Sequence, residues 1–155
     1  MLAHKLPPDA GSLADEWASL HRLARFAVHD CELHYLSSTA LSAADDLVAH
    51  LLLKKLKLAA KLDHDSAAPV VRMNSVVEYR QGDTAIRWGR LVHPSARVQH
   101  GISICSLLGA GLVGLSEGQS ILWPEEAGVF RPLTIVRIDG ASAVHRFSSF
   151  GKKES

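Results

Sequence analysis

The most regular alternation of apolar and polar positions lies between Val70 and Trp123. Val71, Met73, Val77 and Tyr79 fall on one side of a period-two ladder, with Arg72, Asn74, Glu78 and Arg80 on the other, as in a half-buried strand. Gln81-Gly82-Asp83 is turn chemistry. A second run sets Ile86, Trp88 and Val92 against Arg87 and His93 before Pro94 closes it, so the two runs predict a β-hairpin. Ile102 and Ile104 predict a short third strand. Ser106 is placed to cap a helix of about two turns through Val113, with Gly114 past its end. Gly109 and Gly111 inside that helix cost about 1 kcal/mol each against alanine, and the expected compensation is close approach of the helix to the sheet. Gly118 opens the next strand, where Ile121 and Trp123 share a face. Glu125 to Gly128 turns it, and Val129 to Ile138 returns with Leu133 and Ile135 on one side and Val136 and Ile138 on the other. Pro132 lacks an N–H and suits an edge or a strand start.

Before Val70 the period is helical. Residues 1–11, with Pro7, Pro8 and Gly11, predict an extended lead-in. Ser12, with Asp15 three positions on, predicts an N-cap. Leu13, Trp17, Leu20, Ala24 and Ala27 then predict a helix ending between Val28 and Tyr35, broken by Leu36-Ser37-Ser38-Thr39. Ser42, with Asp45 three on, caps a second helix reaching about Leu62. Its apolar stripe is Leu47, Leu51, Leu58 and Leu62, flanked by Val48, Leu52 and Ala59. Asp45 and Asp46 at its start and Lys54, Lys55, Lys57 and Lys61 toward its end are sorted as the helix dipole favours. The expected architecture is α+β. An antiparallel helical hairpin of coiled-coil type spans 12–62, and a small antiparallel sheet with one short helix spans 69–140. A tail over 141–155 loses the pattern and is expected to fray.

Composition narrows the class. The chain has 155 residues, 17 basic and 16 acidic, with a net charge of +1, so there is no global basic field for nonspecific nucleic-acid binding. No apolar run approaches the ~20 residues that span a bilayer, and MLAHKLPPDAG has no apolar signal region. Cys31 and Cys105 fall in different parts of the chain, so the expectation is free thiols in a reducing cytoplasm.

The motifs VVRMNS at 70–75, LVHP at 91–94 and GLSEGQSILW at 114–123 resemble the regulator of nucleoside diphosphate kinase family, short relatives of the Gre-type transcript cleavage factors. The likeness runs over roughly residues 69–138. It implies an FKBP-like sheet domain preceded by a helical hairpin, and docking on RNA polymerase at its secondary channel. The family opens its small helix with a Ser-Pro pair, and the Gre factors place an acid before it. This chain has Cys105, Ser106 and Leu107 there, which the resemblance marks as the partner-binding step. His93 stands where the family has tyrosine.

The resemblance also directs attention to carboxylates at the hairpin tip, because the cleavage factors use tip acids to help hold a metal ion. The acids near the expected tip are Asp30, Glu32, Asp45 and Asp46, none in a D-x-x-E arrangement. They read as dipole-favourable or solvated acids. His29, Cys31 and His34 have zinc-ligand chemistry, but no partner pair completes a four-ligand set. The lysines at 54, 55, 57 and 61 read as a solvated face. GAGLVG lacks the βαβ context of a phosphate loop, and an FKBP-like fold alone does not confer prolyl isomerase activity. The expectation is a noncatalytic polymerase-binding regulator that competes with Gre-type factors, without cofactor, metal, membrane or sequence-specific nucleic-acid contact. The alternatives are a cleavage stimulator using the tip acids, a regulator acting on nucleoside diphosphate kinase, and a diverged interaction module.

Overall fold

A computed structural model describes residues 9–63, 65–125 and 128–139. Most of the expected lead-in and the expected tail at 141–155 lie outside the described residues. The order of elements is α1 (Ala10–Leu20), β1 (Ala27–His29), α2 (Asp30–Ser42), α3 (Asp46–Leu58), β2 (Ala60–Leu62), β3 (Val76–Gln81), β4 (Arg87–Val92), β5 (Gly101–Ser103), α4 (Leu107–Leu112), β6 (Ser120–Pro124) and β7 (Phe130–Asp139). The class is α+β, with N-terminal helices and a mostly antiparallel five-stranded sheet ordered β5-β4-β3-β7-β6. The one parallel pair in that sheet is β4 with β5.

The helical half differs from the expected two-helix hairpin. Asp9, not Ser12, caps α1, its carboxylate accepting the Ser12 N–H at 2.7 Å. The helix stops at Leu20, because the chain must turn to bring Phe26 and Val28 into the core. A new helix, α2, then runs straight through Ser37-Ser38-Thr39. Serine and threonine cost only a few tenths of a kcal/mol each in a helix, less than burial of Leu36 and Ala40 one turn apart returns. Asp45 rather than Ser42 caps α3, accepting from Leu47 and Val48. α3 ends at Leu58, and the next residues form β2, which pairs in parallel with β1.

The sheet strands follow their pattern with local corrections. Val70 to Ser75 is not strand; Asn74 takes φ 71° in the left-handed region, and β3 begins at Val76. On β4 the core-facing residues are Gly89 and Leu91, so Trp88 points the other way and Ile86 is exposed. Ile121 and Trp123 share the buried face of β6 as expected. β7 carries a bulge where its register against β3 shifts between Glu78 and Tyr79. An extra residue in one strand reverses which parity faces inward. Leu133 and Ile135 therefore pack on the core, and so does Ile138, which simple alternation had put opposite. Pro132 lies in an interior strand but one residue beyond its pairing with β3, where its missing N–H is tolerated.

One cluster of buried side chains runs from the helices into the sheet. Trp17 stands at its centre. It stacks on His21 at 4.7 Å and Phe26 at 5.4 Å, meets Trp123 edge-on at 5.2 Å, and donates its indole N–H to the Leu122 carbonyl at 2.8 Å. His21 is held between helix and sheet. Its Nε2 accepts the Leu122 N–H at 3.1 Å, which places the proton on Nδ1, facing the Trp17 carbonyl at 2.8 Å. Burial lowers the His21 pKa below 6.5 and the Lys55 charge adds to this, while the Trp17 carbonyl opposes it. The unfolded chain therefore takes up this proton first, so stability from His21 is complete above about pH 6.5 and declines as pH falls toward the lower folded value. Thermal melts of wild type and His21→Gln between pH 5 and 8 check this: the wild-type melting temperature should fall more steeply on acidification. Parallel curves would disprove it.

Candidate functional site

The sequence places its strongest local signals around α4, and the structure shows how that helix is mounted. The Ser106 hydroxyl accepts the Gly109 N–H at 3.0 Å and donates to the Ser103 carbonyl at 2.6 Å, so it is a cap spent on the fold. Gly109 and Gly111 let the helix backbone meet the sheet. A Cβ on Gly109 would lie 2.0 Å from the Ser103 carbonyl oxygen, and one on Gly111 would lie 2.7 Å from the Trp123 indole nitrogen. That indole donates to the Leu107 carbonyl at 2.7 Å. Gly114, at φ 83°, ends the helix in a conformation that favours glycine.

The far end of α4 rests on a residue that the charge pattern had put in solvent. Lys55 is 1% exposed. Its ammonium donates to the Ala110 carbonyl at 3.0 Å and to the Gly111 carbonyl, two acceptors left open in the last turn of a short helix. It also lies 5.4 Å from the Phe26 ring centroid and 5.3 Å from that of Trp123. Burial pushes its pKa well below the ordinary lysine value, and the two carbonyls can accept from the amino group in either protonation state. The signal for this was present in the sequence: Lys55 lies four residues after Leu51 and seven after Val48, on the buried stripe of α3. The other lysines do not share its burial; Lys54 pairs with Asp15 at 2.7 Å, while Lys57 and Lys61 are exposed.

Above this mount, Leu107 and Leu108 are half-buried at the start of α4. With Ser106, Trp123, Pro124 and Gln81 they wall an open cleft of about 520 Å³. Cys105 faces a different recess, also about 520 Å³, beside Tyr35, Thr39 and His93, its thiol 3.9 Å from the Thr39 carbonyl. Burial raises the Cys105 pKa, which disfavours the thiolate. The step 105–107 thus splits between two concavities.

The four acids are not assembled into a tip. Asp30 and Glu32 lie in the first turn of α2 and Asp45 and Asp46 beyond its other end, so most of a helix of 13 residues, about 20 Å long, stands between the two pairs. Glu32 ties α2 to the segment before β3, pairing with Arg72 at 3.1 Å and accepting the Met73 N–H at 3.3 Å. Asp45 is consumed as a cap. Among the described residues no group of His, Cys, Asp and Glu is arranged to hold a metal ion. His29 is buried with Nε2 against the Ser66 carbonyl at 3.1 Å, while Cys31 and His34 are exposed. Among the described residues no helix is long and apolar enough to cross a membrane.

No family model matches this chain. It is 31% identical over 113 residues to the regulator of nucleoside diphosphate kinase of Escherichia coli K12, covering 71% of this chain and 80% of that protein, and the figures for the Shigella flexneri protein are the same. Its structure overlays the GreA/GreB transcription elongation factor from Nitrosomonas europaea with a TM-score of 0.57 at 25% identity, covering 74% of this chain and 97% of the other. Both likenesses are to proteins named as regulators or elongation factors rather than as catalysts. The fold is GreA/GreB-like, and the protein is of the regulator or transcription-factor kind. With that identity over that length, the chain belongs to the regulator of nucleoside diphosphate kinase family.

Proposed function

We propose that this protein is a noncatalytic transcription regulator of the cytoplasm that docks on RNA polymerase at the secondary channel and competes there with Gre-type factors. The observation that carries the reading is the overlay on nearly the whole length of a GreA/GreB elongation factor. The surface offered for docking is the start of α4, with Ser106, Leu107 and Leu108 at the rim of the cleft beside Trp123. Half-buried leucines over a rigidly mounted helix suit a protein contact, because little side-chain freedom remains to be lost on binding. Metal recruitment by tip carboxylates is not part of the reading, since Asp30 and Glu32 lie in the first turn of α2 and Asp45 and Asp46 beyond its other end.

The test is binding of the full chain to core RNA polymerase, with a Gre-type factor as competitor. Saturable binding that the competitor displaces is the expected result. Leu107→Asp should weaken it at least tenfold, about 1.4 kcal/mol, without unfolding the protein. An acid at the first helical position is favoured by the helix dipole, and the Leu107 atom that holds Trp123 is its backbone carbonyl. Absence of binding by the folded protein would defeat the proposal. The names of the sequence relatives favour one second reading, an action on nucleoside diphosphate kinase. Substituting purified kinase for polymerase in the same assay decides between them.

A further inference from the structure

Strand β6 is the sheet edge opposite β5, paired with β7 alone among the sheet strands. Its backbone at Leu122 is met by side chains rather than by a further strand. The Leu122 carbonyl accepts from the Trp17 indole at 2.8 Å, and the Leu122 N–H donates to His21 Nε2 at 3.1 Å. These two groups stand where another chain could otherwise pair. Pro124, two residues on, has no N–H to offer.

The two contacts differ in what holds them. Trp17 is fixed among the core rings of Phe26 and Trp123. His21, 7% exposed, is the one buried residue in the stretch 20–25, where Leu20, Arg22, Leu23 and Arg25 are exposed and Ala24 is half-buried. Past His21 the chain is next tied at Arg25, whose carbonyl accepts from Gln119 Nε2 at 3.1 Å. It is tied again at Ala27, whose N–H donates to the Gly114 carbonyl at 3.0 Å. A segment with exposed side chains and so little buried apolar contact opens locally at low cost.

His21 fits its place only as a neutral ring. Its Nδ1–H faces the Trp17 carbonyl, which leaves Nε2 as the acceptor for the Leu122 N–H. An imidazolium has two donors and no acceptor, so protonation sets one N–H against another. The packed elements do not compensate the charge. Lys55 of α3 adds a like charge, Phe26 offers an apolar ring at 6.3 Å, and β6 presents backbone. Arg22 and Arg25 in the same stretch are also cationic, and no carboxylate pairs with His21 among the described residues. The Trp17 carbonyl favours the imidazolium, but burial outweighs it.

We propose that His21 is an acid-operated pin: on protonation its ring leaves the sheet edge, the turn between His21 and Arg25 opens, and the Leu122 N–H is bared while the core around Trp17 stays packed. Leu122 immediately precedes Trp123 and Pro124 of the α4 cleft, so pin and cleft share strand β6. The switch is internal to the chain and is tested without a partner.

Amide hydrogen exchange of the full chain is followed by NMR at pH 7.5 and pH 5.5, each rate corrected for the intrinsic pH dependence of exchange. Leu122 protection should fall about fivefold to tenfold. About tenfold is the ceiling for a group that titrates at the ordinary 6.5 once released. The Ala27 and Leu91 amides, which donate to the Gly114 and Ser75 carbonyls, should keep their protection. His21→Gln supplies an acceptor without a titrating ring, and its Leu122 protection should be equal at the two pH values. The wild-type comparison decides by itself where that variant fails to fold. Unchanged Leu122 protection overturns the proposal, and so does a fall shared by Ala27 and Leu91, which would mark global unfolding. A pH dependence at Leu122 that survives in folded His21→Gln also overturns it.

Discussion

Lys55→Ala is expected to destabilise the protein by about 3 kcal/mol, a fall in melting temperature of roughly 10 °C for a chain of this size. The loss has two parts. Removing the stem takes away about 2 kcal/mol of buried methylenes at ~0.8 kcal/mol each. It also orphans the Ala110 and Gly111 carbonyls inside the core, each at a cost of about 1–3 kcal/mol. Against this stands the desolvation of the ammonium, which the variant no longer suffers. Lys55→Met separates the terms, because methionine restores most of the packing and none of the donors. It should recover part of the stability and remain about 1–2 kcal/mol below wild type. The argument holds for either protonation state, since the amine and the ammonium both have N–H groups for two carbonyls. Equilibrium denaturation of the three proteins measures it. A methionine variant as stable as wild type would mean that desolvation cancels the hydrogen bonds, and that Lys55 is a relic of the stripe rather than a support of α4.

Gly109→Ala should cost about 3 kcal/mol or more, at the upper end of overpacking effects, although helix propensity alone predicts a gain of about 1 kcal/mol. The two arguments have opposite signs, so the experiment discriminates sharply. The added methyl would meet the Ser103 carbonyl oxygen at 2.0 Å and the Ile104 Cα at 3.1 Å. These are backbone atoms, and Ile104 is buried and hydrogen-bonded to Val92, so neither can swing aside as a side-chain tip would. The helix must lift, which loosens the Ser106 cap and the Trp123 to Leu107 hydrogen bond together. Chemical denaturation reads the sign directly. A stabilised Gly109→Ala protein would show that α4 is free to move off the sheet, and would remove the rigid mount on which the docking surface depends.

The neighbourhood of α4 was the most legible part of the chain because its signals are local. A serine cap, glycines that a helix would otherwise avoid and a terminating glycine each act within a few residues. The strand faces of Ile121 and Trp123 were legible for the same reason. The N-terminal half was not. A helix through Ala24 satisfied the periodicity, but the position of Phe26 under Trp17 and beside Lys55 is worth more than continuing the helix. Strands of three residues, such as β1 and β2, are shorter than any period test can register. The bulge in β7 is invisible to alternation, since alternation is the rule that it breaks.

Sequence by itself therefore determined the class, the capped and glycine-pinched α4, the buried faces of its neighbouring strands, and enough motif to indicate the family. Tertiary structure alone decided where the first helix stops, that Lys55 is an internal prop rather than a surface charge, and that the four acids stand apart. It also decided that the Trp88 and His100 rings stack beside the β5 edge. The physical reason is range. Caps, turns and periodicity depend on neighbours in the chain, whereas burial of a charge and convergence of side chains depend on contacts between residues distant in sequence, such as the 55 positions that separate Lys55 from Ala110.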